Sequence, residues 1–402
     1  MSNLKIMLIS SAIPQNTTAG ELILYRHLSQ VPELNLIIAT DKYAFSSDED
    51  PLDIQVNRFI IRLQKTRFSR FVNDVHQCLH PFFNYDKLRK SIAKHKPDLI
   101  LTVAEGTYWI AAQRMAREFN IPLVSIFHDW WPDLAYVHSW ARRILENRFK
   151  QLYRQSQLAF CVSEEMRQLL GTHPNAQLLY PIPDQLVAAA ETHTLSTGKQ
   201  FKLVYAGRLS GISGQTIQAL CTSLQGVTGL QLKLFGPQPD WSDAFLQPLK
   251  EQGIYGGFIS RDRLRQEFNA ASALLVAIPF DGSNRRWAET SFPSKLVEYC
   301  KFQKPIIIWG PEYCSAVRWG CKHQAVLVVT SPLLQDLKKA VKELANQPEE
   351  QKRLGNKALE MAQGMFNPEK IQRHFVESLY QLANQKLEKT TYFCVKLFKN
   401  VT

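Results

Sequence analysis

No stretch of this chain approaches the roughly 20 consecutive apolar residues that a bilayer-spanning helix needs, which excludes the usual integral membrane pattern. The opening "MSNLKIMLISSAIPQ" has only a short apolar run, followed at once by polar residues, so it reads as a first strand and not as a signal peptide. Cysteines number seven, an odd and scattered set without CxxC spacing. That excludes a disulfide framework and gives no zinc signature, and it fits reduced core thiols of a cytoplasmic protein. Acidic residues are in deficit, 36 against 48 Lys and Arg, for a net charge of +12. The excess favours anionic partners such as nucleotides or an anionic membrane surface. Nucleic acid is not expected, because the basic residues are not gathered on a recognisable module. No internal repeat or long low-complexity segment is present.

What is present is alternation. A chain of 402 residues exceeds one comfortable core, so two domains are expected. "KIMLIS", "LNLIIAT", "DLILTV", "PLVSIF" and "LAFCV" read as short buried strands, with helical stretches such as "AGELILYRHLSQ" and "YWIAAQRMAREFN" between them. The pattern breaks at "YPIPDQLVAAAETHTLSTGKQ" and resumes with "FKLVYAG", "LQLKLFG", "SALLVAIP" and "KPIIIWG". The expected organisation is an α/β chain of two doubly wound, Rossmann-like domains with a cleft between them. Residues 1–182 form the first domain, 183–200 the linker, 201–365 the second domain, and 366–402 a helix that packs back, ending in a basic tail.

Several strand ends carry residues suited to a ligand. In "ETSFPSKLVEYCKFQKPIIIWG", Pro293 suits the first turn of a helix, Ser291 and Ser294 can cap its amides, and Lys295 adds a positive charge. A helix start, its dipole and a lysine together suit a phosphate. Gly207-Arg208 stands between a strand and a helix, where the backbone can approach a ligand and the guanidinium can fork onto phosphate oxygens. A plain turn with a solvated arginine fits that fragment equally well. Gly236-Pro237 ends another strand. A strand end is expected at Phe258-Ile259, with a helix opening near Arg261, and backbone groups there can read a base edge. His128-Asp129 closes "PLVSIF", where a histidine can bond a sugar hydroxyl or be satisfied by neighbouring backbone. Thr17-Thr18-Ala19-Gly20 is small enough for close ligand approach.

Taken in order, "TAGELILYRHL", "IPLVSIFHDWWP", "AFCVSEEM", "VYAGRLS", "LFGP" and "FPSKLVEYCKFQKPIII" resemble the GT-B glycosyltransferases, especially family 4 and its relatives. That family transfers sugars from nucleotide donors with retention. The resemblance implies that Glu298 accepts hydrogen bonds from the ribose hydroxyls, whose diol matches two carboxylate oxygens. It implies that Arg208 and Lys295 neutralise the diphosphate, and that the segment from Thr290 and Ser291 through Phe292, Pro293 and Ser294 holds the donor. Gly20, Gly207 and Gly236 would line the donor site, Ile259 and Ser260 would face the base, and His128 would reach the sugar. Two positions depart from the family pattern. Thr290 stands where a glutamate is common, and Ser213-Gly214 replaces a Lys-Gly pair.

The reaction so implied moves a sugar from a nucleoside diphosphate to a hydroxyl acceptor, in polysaccharide or glycolipid synthesis. Arg208, Lys295 and the helix start would stabilise the leaving diphosphate without a metal or cofactor, and no Asp-x-Asp marks a metal site at the cleft. With no enzymic nucleophile evident, front-face substitution is the expected course. A non-catalytic nucleotide-sugar-binding relative, or an epimerase or hydrolase using Glu105 and Asp129, is the alternative. Between Phe59 and Ile92, Arg62, Lys65, Arg67 and Arg70 alternate with Phe68, Phe71, Phe82 and Phe83. From the residues this is a core-packing helix with a solvated basic face. The resemblance adds peripheral contact with an anionic membrane, repeated by the tail "KLEKTTYFCVKLFKNV".

Overall fold

The computed structural model describes residues 3–15, 19–28, 31, 34–40, 52–53, 63, 66–184, 200–224 and 227–399. It divides into two compact units, Met1–Ile182 with Ile371–Thr402, and Pro183–Lys370. Thr17, Thr18, Arg62, Lys65 and positions 185–199 of the expected linker lie outside the described residues.

The first unit is built on strands β1 (Leu4–Ile9), β2 (Leu34–Thr40), β3 (Leu52–Asp53), β4 (Leu99–Val103), β5 (Leu123–Phe127), β6 (Leu158–Cys161) and β7 (Ala176–Leu178). They form one sheet in the order β3-β2-β1-β4-β5-β6-β7, with every neighbouring pair parallel. Parallel neighbours need crossover connections, which cover both faces of the sheet. This is why β4 and β5 are apolar at all but one residue each and buried at every residue. Helices α1 (Ala19–Leu28), α2 (Ser69–Leu79), α3 (Asp86–His95), α4 (Tyr108–Glu118), α5 (Trp131–Leu134), α6 (Ser139–Gln155) and α7 (Glu164–Leu170) supply much of that cover. The polar side chains of β4 and β5 are bonded. Thr102 donates to the Ile9 carbonyl across β1 and β4 at 2.7 Å, and Ser125 bonds Ser156 at 2.8 Å.

The second unit holds β8 (Phe201–Ala206), β9 (Leu230–Phe235), β10 (Ala273–Ala277), β11 (Ile306–Trp309) and β12 (Leu327–Val329) in the order β12-β11-β10-β8-β9, again all parallel. Its helices are α8 (Gly211–Leu224), α9 (Asp243–Glu251), α10 (Arg261–Asn269), α11 (Arg285–Thr290), α12 (Ser294–Cys300), α13 (Ser315–His323), α14 (Leu334–Ala345) and α15 (Pro348–Gln363). In both sheets the strand order reverses, between β1 and β4 in the first and between β8 and β10 in the second. At such reversals the crossovers diverge and leave a crevice beyond the carboxyl ends of the strands.

The expected strand end at Phe258-Ile259 is not a strand. Tyr255 makes one isolated bridge to Leu234, after which the chain runs as a loop until Ser260 caps α10 by accepting from the Arg263 amide. The glycines Gly256 and Gly257 weaken extended pairing there.

The last helix, α16 (Pro368–Lys399), belongs to the first unit from Ile371 onward. Ile371, Phe375, Leu379 and Leu382 are buried with Ile6, Leu8, Leu101 and Phe160. The Phe375 ring lies 5.3 Å from that of Phe160 and 5.1 Å from the imidazole of His27. Gln372 anchors the same turn by donating to the His27 carbonyl at 2.7 Å. Phe375→Ala should therefore destabilise the first unit by about 3–5 kcal/mol, the usual cost of emptying a buried phenylalanine site. Urea unfolding followed by circular dichroism checks this, with the exposed Glu377→Ala on the same helix as a near-neutral control.

Candidate functional site

In the second unit the residues expected to bind phosphate converge where β8 ends. Gly207 has φ +152°, and a β-carbon built on it would lie 1.7 Å from the Lys295 Nζ. Glycine is needed there because the ammonium fills the space a side chain would take. Lys295 comes from the first turn of α12. Its Nζ donates to the Tyr205 hydroxyl at 3.2 Å and stands 4.4 Å from the centroid of the tyrosine ring. The Tyr205 hydroxyl passes the bond on to the Arg208 carbonyl at 3.0 Å, which fixes the turn that carries the Arg208 guanidinium. Arg208 itself is exposed. Gly236 ends β9 alongside, where a β-carbon would meet the Gly207 carbonyl oxygen at 2.0 Å. Tyr205, Gly207, Arg208, Gly236 and Lys295 thus form one cluster.

Beneath it, the buried Tyr299 hydroxyl accepts from the Ala206 amide at 3.2 Å and returns a bond to the Ala206 carbonyl at 3.4 Å. Burial pushes this phenol's pKa up, so it stays protonated and keeps donating. The sequence marks Tyr299 only as part of the helix's inward face and gives Tyr205 no role. Their positions, two before a Gly-Arg turn and four after a lysine on a helix, are the available signal.

The start of α12 differs in detail from the expectation. Pro293 is not in the first turn but is the N-cap, with φ −66° and ψ 117°, and no side chain caps the helix. Proline's fixed φ serves this extended position as well as it serves the first helical one. With seven residues α12 is less than two turns long, so its dipole is weak and the positive charge rests mainly on Lys295 and Arg208. The Ser291 carbonyl accepts from the Ser315 hydroxyl. Phe292 is buried against Trp319 and Phe366. Thr290 is fully buried, and its hydroxyl donates to the Arg286 carbonyl at 2.8 Å, so its side chain is turned inward.

Glu298, one turn into α12, has a fixed carboxylate. The Asp184 amide donates to both of its oxygens at 3.1 and 3.3 Å, and the Lys301 Nζ lies 3.2 Å from one of them. Ile259 is half-buried and Ser260 exposed in the loop before α10. Ser213 and Gly214 fall inside α8, where a β-carbon on Gly214 would lie 2.4 Å from the Leu209 carbonyl oxygen. The first amide of α8, from Gly211, already binds the Asp240 carboxylate at 2.9 Å.

In the first unit, Gly20 is the second residue of α1 and His128 follows the carboxyl end of β5. Burial lowers the His128 pKa, against a smaller upward pull from Asp129, so the imidazole is neutral near pH 7. Behind it, buried His27 is lowered to about 3 by desolvation and then by His128. At the β1–β4 reversal, Gly106 has φ +68° and leaves room for Ser11, whose hydroxyl accepts from the Thr107 amide at 3.3 Å. This contact joins two loops far apart in sequence, and residue patterns alone do not reveal it.

Residues 37–179 match the model of Glycosyltransferase Family 4. No curated relative matches the chain by sequence. Among solved structures, the chain is similar to sucrose-phosphate synthase from Thermosynechococcus elongatus, at 16% identity and TM-score 0.62 over 94% of this chain and 99% of that one. It is similar to Anabaena HepE in complex with UDP, at 14% identity and TM-score 0.64 over 94% and 100%. A glycosyltransferase from Rickettsia africae gives 12% identity and TM-score 0.65 over 95% and 99%. The chain has the GT-B fold of these structures, and its residues 37–179 are similar to Glycosyltransferase Family 4.

Proposed function

We propose that the chain transfers a sugar, with retention, from a nucleoside-diphosphate donor to a hydroxyl acceptor of a growing polysaccharide or glycolipid, at the cytoplasmic face of a membrane. The observation that carries this reading is the pairing of the Lys295 ammonium with the Gly207 backbone beside the exposed Arg208 guanidinium. HepE, similar in fold, is described with UDP and with UDP and glucose. Breaking a sugar–phosphate bond builds negative charge on the leaving diphosphate. The Lys295 ammonium, held in advance at that point, stabilises the charge without reorganising during the reaction, and the exposed Arg208 guanidinium adds a second cation.

Glu298 would take the ribose diol. Its carboxylate is already oriented by Asp184 and Lys301, so little side-chain freedom is lost on binding. His128, neutral near pH 7, can both donate to and accept from a sugar hydroxyl. The acceptor hydroxyl attacks on the face the diphosphate leaves, and a phosphate oxygen takes its proton. No cofactor is required beyond the nucleotide sugar as co-substrate.

Three outcomes follow. Arg208→Ala and Lys295→Ala should each lower the transfer rate by about two orders of magnitude, measured with a panel of nucleotide sugars that separates transfer from hydrolysis. A chain that binds nucleotide but turns over no donor would instead be a binding protein.

Gly207→Ala should act through Lys295, because the added carbon lies 1.7 Å from its Nζ and must displace it. Calorimetry should show about tenfold or greater loss of nucleoside-diphosphate affinity, with thermal stability of the variant followed alongside.

His128→Ala should lower transfer while leaving nucleoside-diphosphate affinity nearly unchanged. Because burial depresses the His128 pKa, the wild-type rate should hold as pH falls through about 6.5, the ordinary imidazole value, and decline only below it. A half-maximal rate at the ordinary value would contradict a neutral, half-buried His128.

A further inference from the structure

Helix α2 is turned inside out. At helical spacing, Phe68, Phe71, Val75, Leu79 and Phe82 run along the N-cap, the helix and the turn after it. A surface helix normally points such a stripe into the core. Here Phe71 is 57% exposed and Phe82 is 78% exposed, while the buried residues of α2 are Asp74 and Gln77.

Polar bonds hold the helix in this orientation. The Asp74 carboxylate, fully buried, accepts from the His138 amide at 2.7 Å and meets the His138 Nδ1 at 2.5 Å. Arg70 donates to the Val137 carbonyl, and Asn73 donates to the Tyr136 carbonyl. From the other side, the Arg148 guanidinium donates to the carbonyls of Gln77 and Cys78 at 2.8 and 3.0 Å. Rotating α2 to bury its aromatics would break every one of these bonds and strand a buried carboxylate. The outward face is therefore built in.

The same clasp brings a second set of exposed apolar side chains alongside. Tyr136 is 63% exposed and Trp140 48% exposed, with Ile144 one turn further along α6. The charges among them are all positive. Arg67 lies over the Phe68 ring at 4.9 Å, Arg70 over the Tyr136 ring at 5.6 Å, and Arg143 is exposed between Trp140 and Ile144. Asp74 is the one acidic residue in positions 66–83, and it faces inward; positions 134–145 contain none. Short helix α5 separates this surface from His128 at the end of β5.

We infer that the outward face of α2 and the start of α6 is a docking surface for an anionic lipid bilayer. Phe, Tyr and Trp side chains enter the boundary between headgroups and acyl chains, and arginines among them meet anionic headgroups. The inference deepens the proposed function and rests on it for the membrane as the place of work. Within the unit, only short helix α5 stands along the chain between this face and the His128 strand end, to which a lipid-linked acceptor hydroxyl would be presented.

The test is co-sedimentation of the full chain with phosphatidylcholine vesicles and with vesicles containing phosphatidylglycerol, at low and high salt. Wild type should pellet with the anionic vesicles at low salt and be released by salt. The variant Phe71→Ser/Phe82→Ser/Trp140→Ser, and separately Arg67→Glu/Arg143→Glu, should each lower the partition coefficient by about tenfold or more while far-UV circular dichroism is unchanged. These side chains are exposed, so their loss leaves the core intact. Equal pelleting of wild type and both variants would overturn the assignment. So would a wild-type dimer in vesicle-free solution that the serine variant dissociates, which would mean a second copy covers the face. Transfer to a detergent-dispersed acceptor, measured in parallel, separates the two ideas. Transfer without vesicle binding removes the docking surface alone, whereas vesicle binding without transfer removes the glycosyl-transfer reading alone.

Discussion

The Lys295 ammonium occupies the volume that a β-carbon on residue 207 would need, and this exclusion orders the carboxyl edge of the second unit. With no side chain on Gly207, its carbonyl can approach Gly236, which must be glycine in turn. Two adjacent strand ends thus close together, and the lysine is held over the Tyr205 ring instead of swinging into water. Interiors packed this densely do not accommodate one extra carbon without moving a neighbour. Tyr299, bonded to Ala206 from below, fixes the last residue of β8 against the same element that carries Lys295. Helix α12 therefore sets the height of the strand end and supplies its charge.

Lys295 and Glu298 share one feature, in that each is oriented by the protein before any ligand arrives. A flexible lysine loses rotamer freedom when it binds an anion, and a freely rotating carboxylate loses it when it binds a diol. Here Tyr205 restrains the lysine, while Asp184 and Lys301 restrain the carboxylate. The cost of ordering is met during folding, by bonds unrelated to the ligand. Arg208 is the exception. Its exposed side chain keeps its freedom, with only its backbone pinned by Tyr205.

Much of this architecture is legible in the sequence because parallel strands buried on both faces must be apolar at nearly every residue. "DLILTV", "PLVSIF" and "PIIIWG" show this directly, and the alternation with helices gives the fold class. The cluster at β8 was legible in part. Gly207, Arg208 and Lys295 stand out at strand-to-helix junctions, but Tyr205 has the look of one more strand residue. Its role depends on a lysine 90 positions away. Two apolar residues after a glycine pair at Phe258-Ile259 resemble a strand end, whereas pairing with β9 stops at Tyr255 and the glycine pair. Helix α2 was read from its residues alone as packing its phenylalanines into a core. Periodicity gives the angle between faces but not which face is inward. That was decided by Asp74, whose partner His138 lies 64 residues on.

The outward stripe of α2 also governs how the chain behaves away from any membrane. Apolar patches of this kind find each other in solution, and salt acts on them in two opposite ways. Screening removes the mutual repulsion of molecules carrying +12 net charge, and excluded salts such as sulfate strengthen apolar contact. Excluded salts at high concentration therefore lower the solubility of a chain with this face, while low ionic strength or a mild detergent favours the dispersed state. Colloidal behaviour at the bench and the proposed docking to a lipid surface would trace to the same row of side chains, with ionic strength favouring one as it dismisses the other.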